Sequence, residues 1–287
     1  MGIFFALLCA CFQSLQSVFS KKSLKKADEY IASFFLYFFA LLFLLIQLFF
    51  IKIPSLNENF WIALFTSGGL NVIAIIFYMK AIKNSDLSLV MPMLSFTPLF
   101  LLLISPIVVK EFPNLSGGLG VVFVVIGLYV LNVKDISNGF FEPFKAITRE
   151  KGTRYMLFAA FLWSVSSNFD KIGVQNSSPA FWPIAIFSFL SLIMFIIVLV
   201  KSSSKIKQVS NYITTSFIPL GLFMALTVVF QSLAINLTLV AYVISIKRAS
   251  IVLSVVFGYF LFHEKEIKDR LIGSVIMLAG IVIIALS

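Results

Sequence analysis

Lys247 and Arg248 stand side by side inside the run 239–264, LVAYVISIKRASIVLSVVFGYFLFHE, which is otherwise almost wholly apolar until its last two residues. At about 1.5 Å per residue such a run crosses the roughly 30 Å hydrocarbon core of a bilayer as one helix, with both cations near its middle. A cation held against lipid there costs several kcal/mol, so the pair calls for a protein-lined or wet cavity. Neighbouring residues point about 100° apart around a helix, so one can face a cavity while the other ties the helix to a neighbour. A cation in the cavity suits a carboxylate or phosphate, which an arginine can grip with two parallel hydrogen bonds. The alternative is that both pair internally and only hold helices together.

Asp170 is the candidate internal partner. It lies near the end of a span and on the same side of the membrane as the start of the span that carries Lys247. Left unpaired, it could serve as a proton-coupling carboxylate; the plainer alternative is an anchor at the membrane boundary beside Lys171. Uncharged polar residues recur at helical spacing in the other spans. Gln13, Gln16, Ser17 and Ser20 share one face of the first span, and Ser164, Ser167, Asn168 and Asp170 follow on the sixth, with Trp163 as an aromatic wall. Asn71 and Tyr78 with Thr66 in the third, Gln231 with Thr227 in the eighth, and Tyr242 and Ser245 in the ninth complete the set of candidate substrate contacts. Such residues also join helices to one another, at about 0.6 to 2 kcal/mol each, so only part of the set need meet a substrate.

The elements that position these residues follow from composition. The chain has 287 residues, 60% hydrophobic and 12% charged, with mean hydropathy +1.06. That leaves too little polar surface for a water-soluble fold and indicates an all-α integral membrane protein in contact with lipid. A net charge of +10 raises nucleic acid as a partner, but the basic residues sit in short gaps between apolar runs and form no basic helix or patch, so nucleic acid is excluded. Cys9 and Cys11 lie within the first apolar run and read as small buried hydrophobes. His263 is the single histidine and has no second ligand at suitable spacing, so no metal site is expected. No phosphate-cradling loop or other cofactor motif is present. Residues 1–20 lack a basic leader and a small-residue cleavage site, and are read as a retained first span.

Ten spans are expected, at 1–19, 30–50, 60–79, 87–109, 115–133, 155–175, 180–200, 213–235, 239–262 and 271–286. The polar stretch 134–154 divides the chain into a first five-helix unit, 1–133, and a second, 155–287. The second repeats the first. A shift of 153 residues places Gly68 on Gly221, Phe77 on Phe230, Glu111 on Glu264, Gly120 on Gly273 and Gly127 on Gly280 without a gap; a shift of 150 places Lys21 on Lys171. Five spans is an odd number, so the second copy enters the membrane in the opposite sense. Ten transmembrane helices as two inverted five-helix repeats is an architecture of secondary transporters, with the site at the repeat interface. Pro92 and Pro98 break the fourth span and free backbone carbonyls to bend it or face a cavity. The glycines at 120, 127, 273 and 280 favour close helix packing, either between the halves of a monomer or between two chains of a dimer.

Seventeen Lys and Arg fall in connections 1-2, 3-4, 5-6, 7-8 and 9-10, against three in the others. The excess places those connections in the cytoplasm and both termini outside it, in an inner (plasma) membrane.

Two five-span copies, with Pro98, Glu111 and Gly120 to Gly127 in one and Lys247-Arg248-Ala249-Ser250, Glu264 and Gly273 to Gly280 in the other, resemble the EamA branch of the drug/metabolite transporter superfamily over essentially the whole chain. The resemblance implies secondary transport or efflux of a small metabolite by alternating access, through a central cavity lined by spans 1, 3, 4, 6, 8 and 9, with Glu111 and Glu264 as structural residues and no enzymatic activity. The cations suit an anionic or zwitterionic, amino-acid-like substrate. Coupling to protons and exchange for a counter-substrate both remain open, with no cofactor. The competing classes are a membrane scaffold or receptor component, and a lipid-modifying enzyme, for which a lone histidine is a poor catalytic centre.

Overall fold

The computed structural model describes residues 1–131, 150–202, 213–262 and 267–286. Every regular element among them is helical. In chain order these are α1 (Gly2–Leu24), α2 (Glu29–Leu45, continued by a 3-10 turn over Ile46–Phe49), α3 (Glu58–Asn84), α4 (Leu87–Val90, followed by a 3-10 turn over Met91–Ser95), α5 (Phe96–Val108) and α6 (Leu115–Leu131). They continue as α7 (Lys151–Gln175), α8 (Phe181–Lys201), α9 (Ile218–Leu237, entered through a π turn over Ile213–Phe217), α10 (Val240–Lys247), α11 (Ala249–Phe262) and α12 (Ile267–Leu286).

Polar side chains close the helix ends where the first amides lack partners. Asp28 accepts from the Ile31 amide at 3.0 Å to start α2, and Asn57 accepts from the Phe60 amide at 3.0 Å to start α3. Both caps also bind the other half of the chain: Ser202 Oγ donates to Asp28 Oδ2 at 2.7 Å, and Asn57 Nδ2 donates to Asn176 Oδ1 at 2.7 Å.

Among the described residues, five segments are long and apolar enough to cross a membrane: Gly2–Leu24, Glu29–Phe49, Glu58–Asn84, Phe181–Lys201 and Thr215–Leu237. Their outward faces are apolar, with Ile62, Phe65, Leu192 and Ile196 about half exposed, as lipid contact requires. The α7 helix is as long, but its hydroxyl, amide and charged residues lower its hydropathy.

The stretches expected as the fourth and ninth spans are not single helices. In the ninth, α10 ends at Lys247 and α11 begins at Ala249, so the run holding both cations is two helices where the sequence indicated one. The Arg248 amide bonds to Ser245 O at 3.0 Å, three residues back, a tightened turn that no proline marks. In the fourth, the 3-10 turn Met91–Ser95 stands at the same place in the 153-residue register, and it contains Pro92. Helix α7 begins at Lys151, inside the stretch assigned to the linker, and α3 runs five residues past the expected end of its span.

The packing pairs α1 with α9 and α3 with α7, α2 with α9 and α3 with α8, α2 with α8, and α6 with α12. In the last pair a Cβ on Gly127 would stand 2.6 Å from Gly273 O, and one on Gly280 would stand 2.6 Å from Gly120 O. The two backbones touch through their glycines. The glycine pattern therefore joins the halves of one chain.

Candidate functional site

A cavity lies among α1, α2, α3, α7, α8, α9 and α10, with about 80 Å³ open to the centres of water molecules, room for several waters. Gln13 and Gln16 reach it from α1, Asn71 and Tyr78 from α3, and Trp163, Ser167 and Asp170 from α7. Gln231 with Thr227 on α9, then Lys247 and Arg248, complete the polar lining. Hydrogen bonds hold many of these groups in place. Gln13 donates to Gln16, whose Nε2 donates to Ser20 Oγ at 2.8 Å, and Ser17 and Tyr78 hydroxyls lie 3.2 Å apart. Trp163 Nε1 donates to Asn71 Oδ1 at 3.0 Å, Asn71 Nδ2 donates to Ser166 Oγ at 2.5 Å, and Ser67 Oγ donates to Asp170 Oδ1 at 2.5 Å.

The two cations differ. Lys247 Nζ donates to Gln231 Oε1 at 2.7 Å, which ties α10 to α9. Arg248 is 4% exposed, its Nε has no hydrogen-bond partner, and no side-chain hydrogen bond or ion pair joins it to any of the described residues. No ion pair links Asp170 to either cation, so the internal pair between Asp170 and Lys247 is not formed. Both cations line the cavity, and the division of roles expected from their adjacency holds only in that Lys247 also braces a neighbour.

Lys171, beside Asp170, is held in a charged cluster. Its ammonium pairs with Glu111 and also donates to Thr238 O at 3.1 Å, while Glu111 Oε2 accepts from the Val240 amide at 2.9 Å. Lys110, at φ 56°, turns the chain at the end of α5 and directs Glu111 back across the bundle. This cluster joins the end of α5, the end of α7 and the start of α10. Its geometry gives Glu111 a structural role; Glu264 lies outside the described residues, as does His263.

Three expectations change. Tyr242 does not line the cavity: its hydroxyl donates to Asn114 Oδ1 at 3.0 Å, the same oxygen that accepts from the Gly117 amide at 2.8 Å at the start of α6. Ser245 is fully buried, and its hydroxyl bonds back to Ala241 O at 2.7 Å. Spans 2 and 7, left out of the expected lining, contribute Tyr37 from α2 and Trp182, Ile186, Phe187 and Leu190 from α8. Those are aromatic and aliphatic residues in strongly apolar helices, where sequence offers no sign to separate a cavity wall from core. The fourth span contributes Leu94 from the turn that follows Pro92, and Pro98 is buried in the first turn of α5.

A family model described as the EamA-like transporter family matches residues 1–133 and 151–286. No curated protein sequence matches at a significant level. Among the solved structures, 28 chains match; one, a crystal structure described only as that of a protein, superposes with TM-score 0.70 at 14% identity, covering 99% of this chain and 98% of that one. At that identity the likeness is one of fold.

Proposed function

The chain belongs to the EamA-like transporter family, whose members are secondary transporters and not enzymes, and from that premise we propose that it carries a small metabolite with an anionic group through the central cavity by alternating access. The observation that carries this reading is Arg248, a buried guanidinium with no hydrogen-bond partner at Nε and no ion pair among the described residues, facing a cavity otherwise furnished with hydrogen-bonding groups. Burying a charge without a complement is costly, and a carboxylate or phosphate supplied by a ligand removes that cost.

Ten spans in two inverted repeats provide the two conformations. The packing supports this, because exchanging the halves maps one contact onto another: α1 against α9 becomes α7 against α3, and α2 against α9 becomes α8 against α3. The tightened turns after Val90 and at Arg248 occupy equivalent places, one built with proline and the other with two cations. Glycine contacts between α6 and α12 lie within one chain, so a monomer is a sufficient unit. The Lys and Arg bias puts both termini outside the cytoplasm of an inner membrane.

The test screens the purified protein by thermal unfolding against monocarboxylates, phosphate esters and amino acids, then measures uptake of each stabilising compound into proteoliposomes. Arg248→Gln is expected to reduce uptake at least about tenfold, the scale of one lost charge-assisted hydrogen bond. Uptake equal to that of the unaltered protein would remove Arg248 from substrate binding.

A further inference from the structure

We propose that Asp170 receives the cationic group of a zwitterionic substrate whose anionic end lies at Arg248. The proposal rests on the reading of the cavity as a transport site and names the class of compound that fits it.

Asp170 lines the same cavity as Arg248. Its carboxylate accepts a hydrogen bond from Ser67 Oγ at 2.5 Å and is also reached by the Trp182 side chain, although two carboxylate oxygens can accept about four. The neighbouring cations are engaged elsewhere. Lys171, the next residue, points about 100° away around α7 and pairs with Glu111, and Lys247 donates to Gln231. Among the described residues the cavity thus holds a carboxylate in no ion pair, with Lys247 acting on it only through space, and a guanidinium in no ion pair, and the two are not joined to each other. One ligand with a charge of each sign completes both.

The spacing fits such a ligand. Lys171 touches Thr238 at the start of α10, which places Asp170 near that end of the cavity. Lys247 lies seven residues beyond Val240, about 10 Å further along the helix axis. An amino acid with its charged groups about 3 Å apart, plus a hydrogen bond of about 2.8 Å at each end, spans close to 9 Å. Asp170 is also fixed in advance: Ser67 Oγ lies 3.1 Å from Ser166 Oγ, and Asn71 Nδ2 donates to both hydroxyls and is itself held by Trp163. A preset acceptor of this kind distinguishes a ligand that carries an ammonium from one that lacks it, because the ligand without it leaves a buried carboxylate unmatched.

The experiment measures binding of the L-amino acids to the purified full-length protein, and of the des-amino acid and decarboxylated amine matching each one that binds. Removing either charged group from a binding amino acid is expected to weaken it at least about tenfold. Asp170→Asn should bring the amino acid and its des-amino counterpart to within about twofold of each other, while Asp170→Glu, which keeps the charge, should preserve the preference. The ligand series on the unaltered protein stands independently of how either variant folds. The proposal is overturned if no L-amino acid binds, if the des-amino acids bind equally well, or if Asp170→Asn keeps the preference. It is also overturned if Asp170→Asn leaves binding intact but abolishes uptake driven by a pH or sodium gradient, since the cation at Asp170 is then the coupling ion. Absence of an ammonium preference in the unaltered protein counts against Asp170 alone; unchanged binding in Arg248→Gln counts against the anionic anchor and the transport reading beneath it.

Discussion

The Glu111–Lys171 cluster and the Lys247–Arg248 pair both set charge into the interior, at the two ends of α10, on opposite plans. In the first, lysine meets carboxylate, the second carboxylate oxygen takes the Val240 amide, and Thr238 O takes a further lysine hydrogen. In the second, Lys247 meets a neutral amide, and Arg248 has no side-chain hydrogen bond or ion pair among the described residues. A buried charge whose partners are complete has its desolvation offset within the fold, and removing one partner strands the other. A buried charge left incomplete gains nothing for the fold, and its complement has to come from outside. The contrast separates structure from site without reference to position in the membrane.

The largest test of that contrast is Glu111→Gln. It leaves Lys171, whose side chain is 11% exposed, without its anion, and the expected loss of stability is about 3 to 5 kcal/mol, read as a drop in the unfolding temperature of the purified protein. An unchanged melt would mean that the cluster is no keystone and would dissolve the comparison. Arg248→Gln should move stability the other way, raising it by about 1 kcal/mol in ligand-free protein, because an uncompensated charge is removed. A decrease on the scale of Glu111→Gln would reveal a structural partner for Arg248. Tyr242→Phe should have the smallest effect, about 1 kcal/mol for a single hydrogen bond to Asn114, with uptake of any identified substrate unaltered. Impaired uptake in that variant would bring Tyr242 back into the site.

Much of the cavity was legible in the sequence because a polar residue in an apolar helix stands out and helical spacing says which others share its face. Gln13 with Gln16, Asn71 with Tyr78, and Trp163, Ser167 and Asp170 were found in this way, and all line the cavity. The same reasoning misplaced Tyr242, one turn from the start of α10, where a polar side chain can equally serve the neighbouring loop. It also missed Tyr37, Trp182 and Phe187, since an aromatic residue among aliphatic ones looks alike whether it faces a void or a neighbour. The break in the ninth span was hidden for a different reason. Pro92 announces the turn in the first half, but Ser245 stands at the corresponding position in the second, and the turn there shows only in which carbonyl the Arg248 amide selects.

The contact between α6 and α12 has a consequence for the symmetry of the chain. Gly127 meets Gly273 and Gly280 meets Gly120, while in the repeat register Gly120 answers to Gly273 and Gly127 to Gly280. Each glycine therefore touches the counterpart of the other glycine on its own helix, the reciprocal pattern that two identical subunits make across a twofold axis. The seam that closes this molecule has the form of a homodimer interface, here made between the two halves of one chain. Away from that seam the halves differ: the cations at 247 and 248 stand in one, with Leu94 and Ser95 at the corresponding positions of the other.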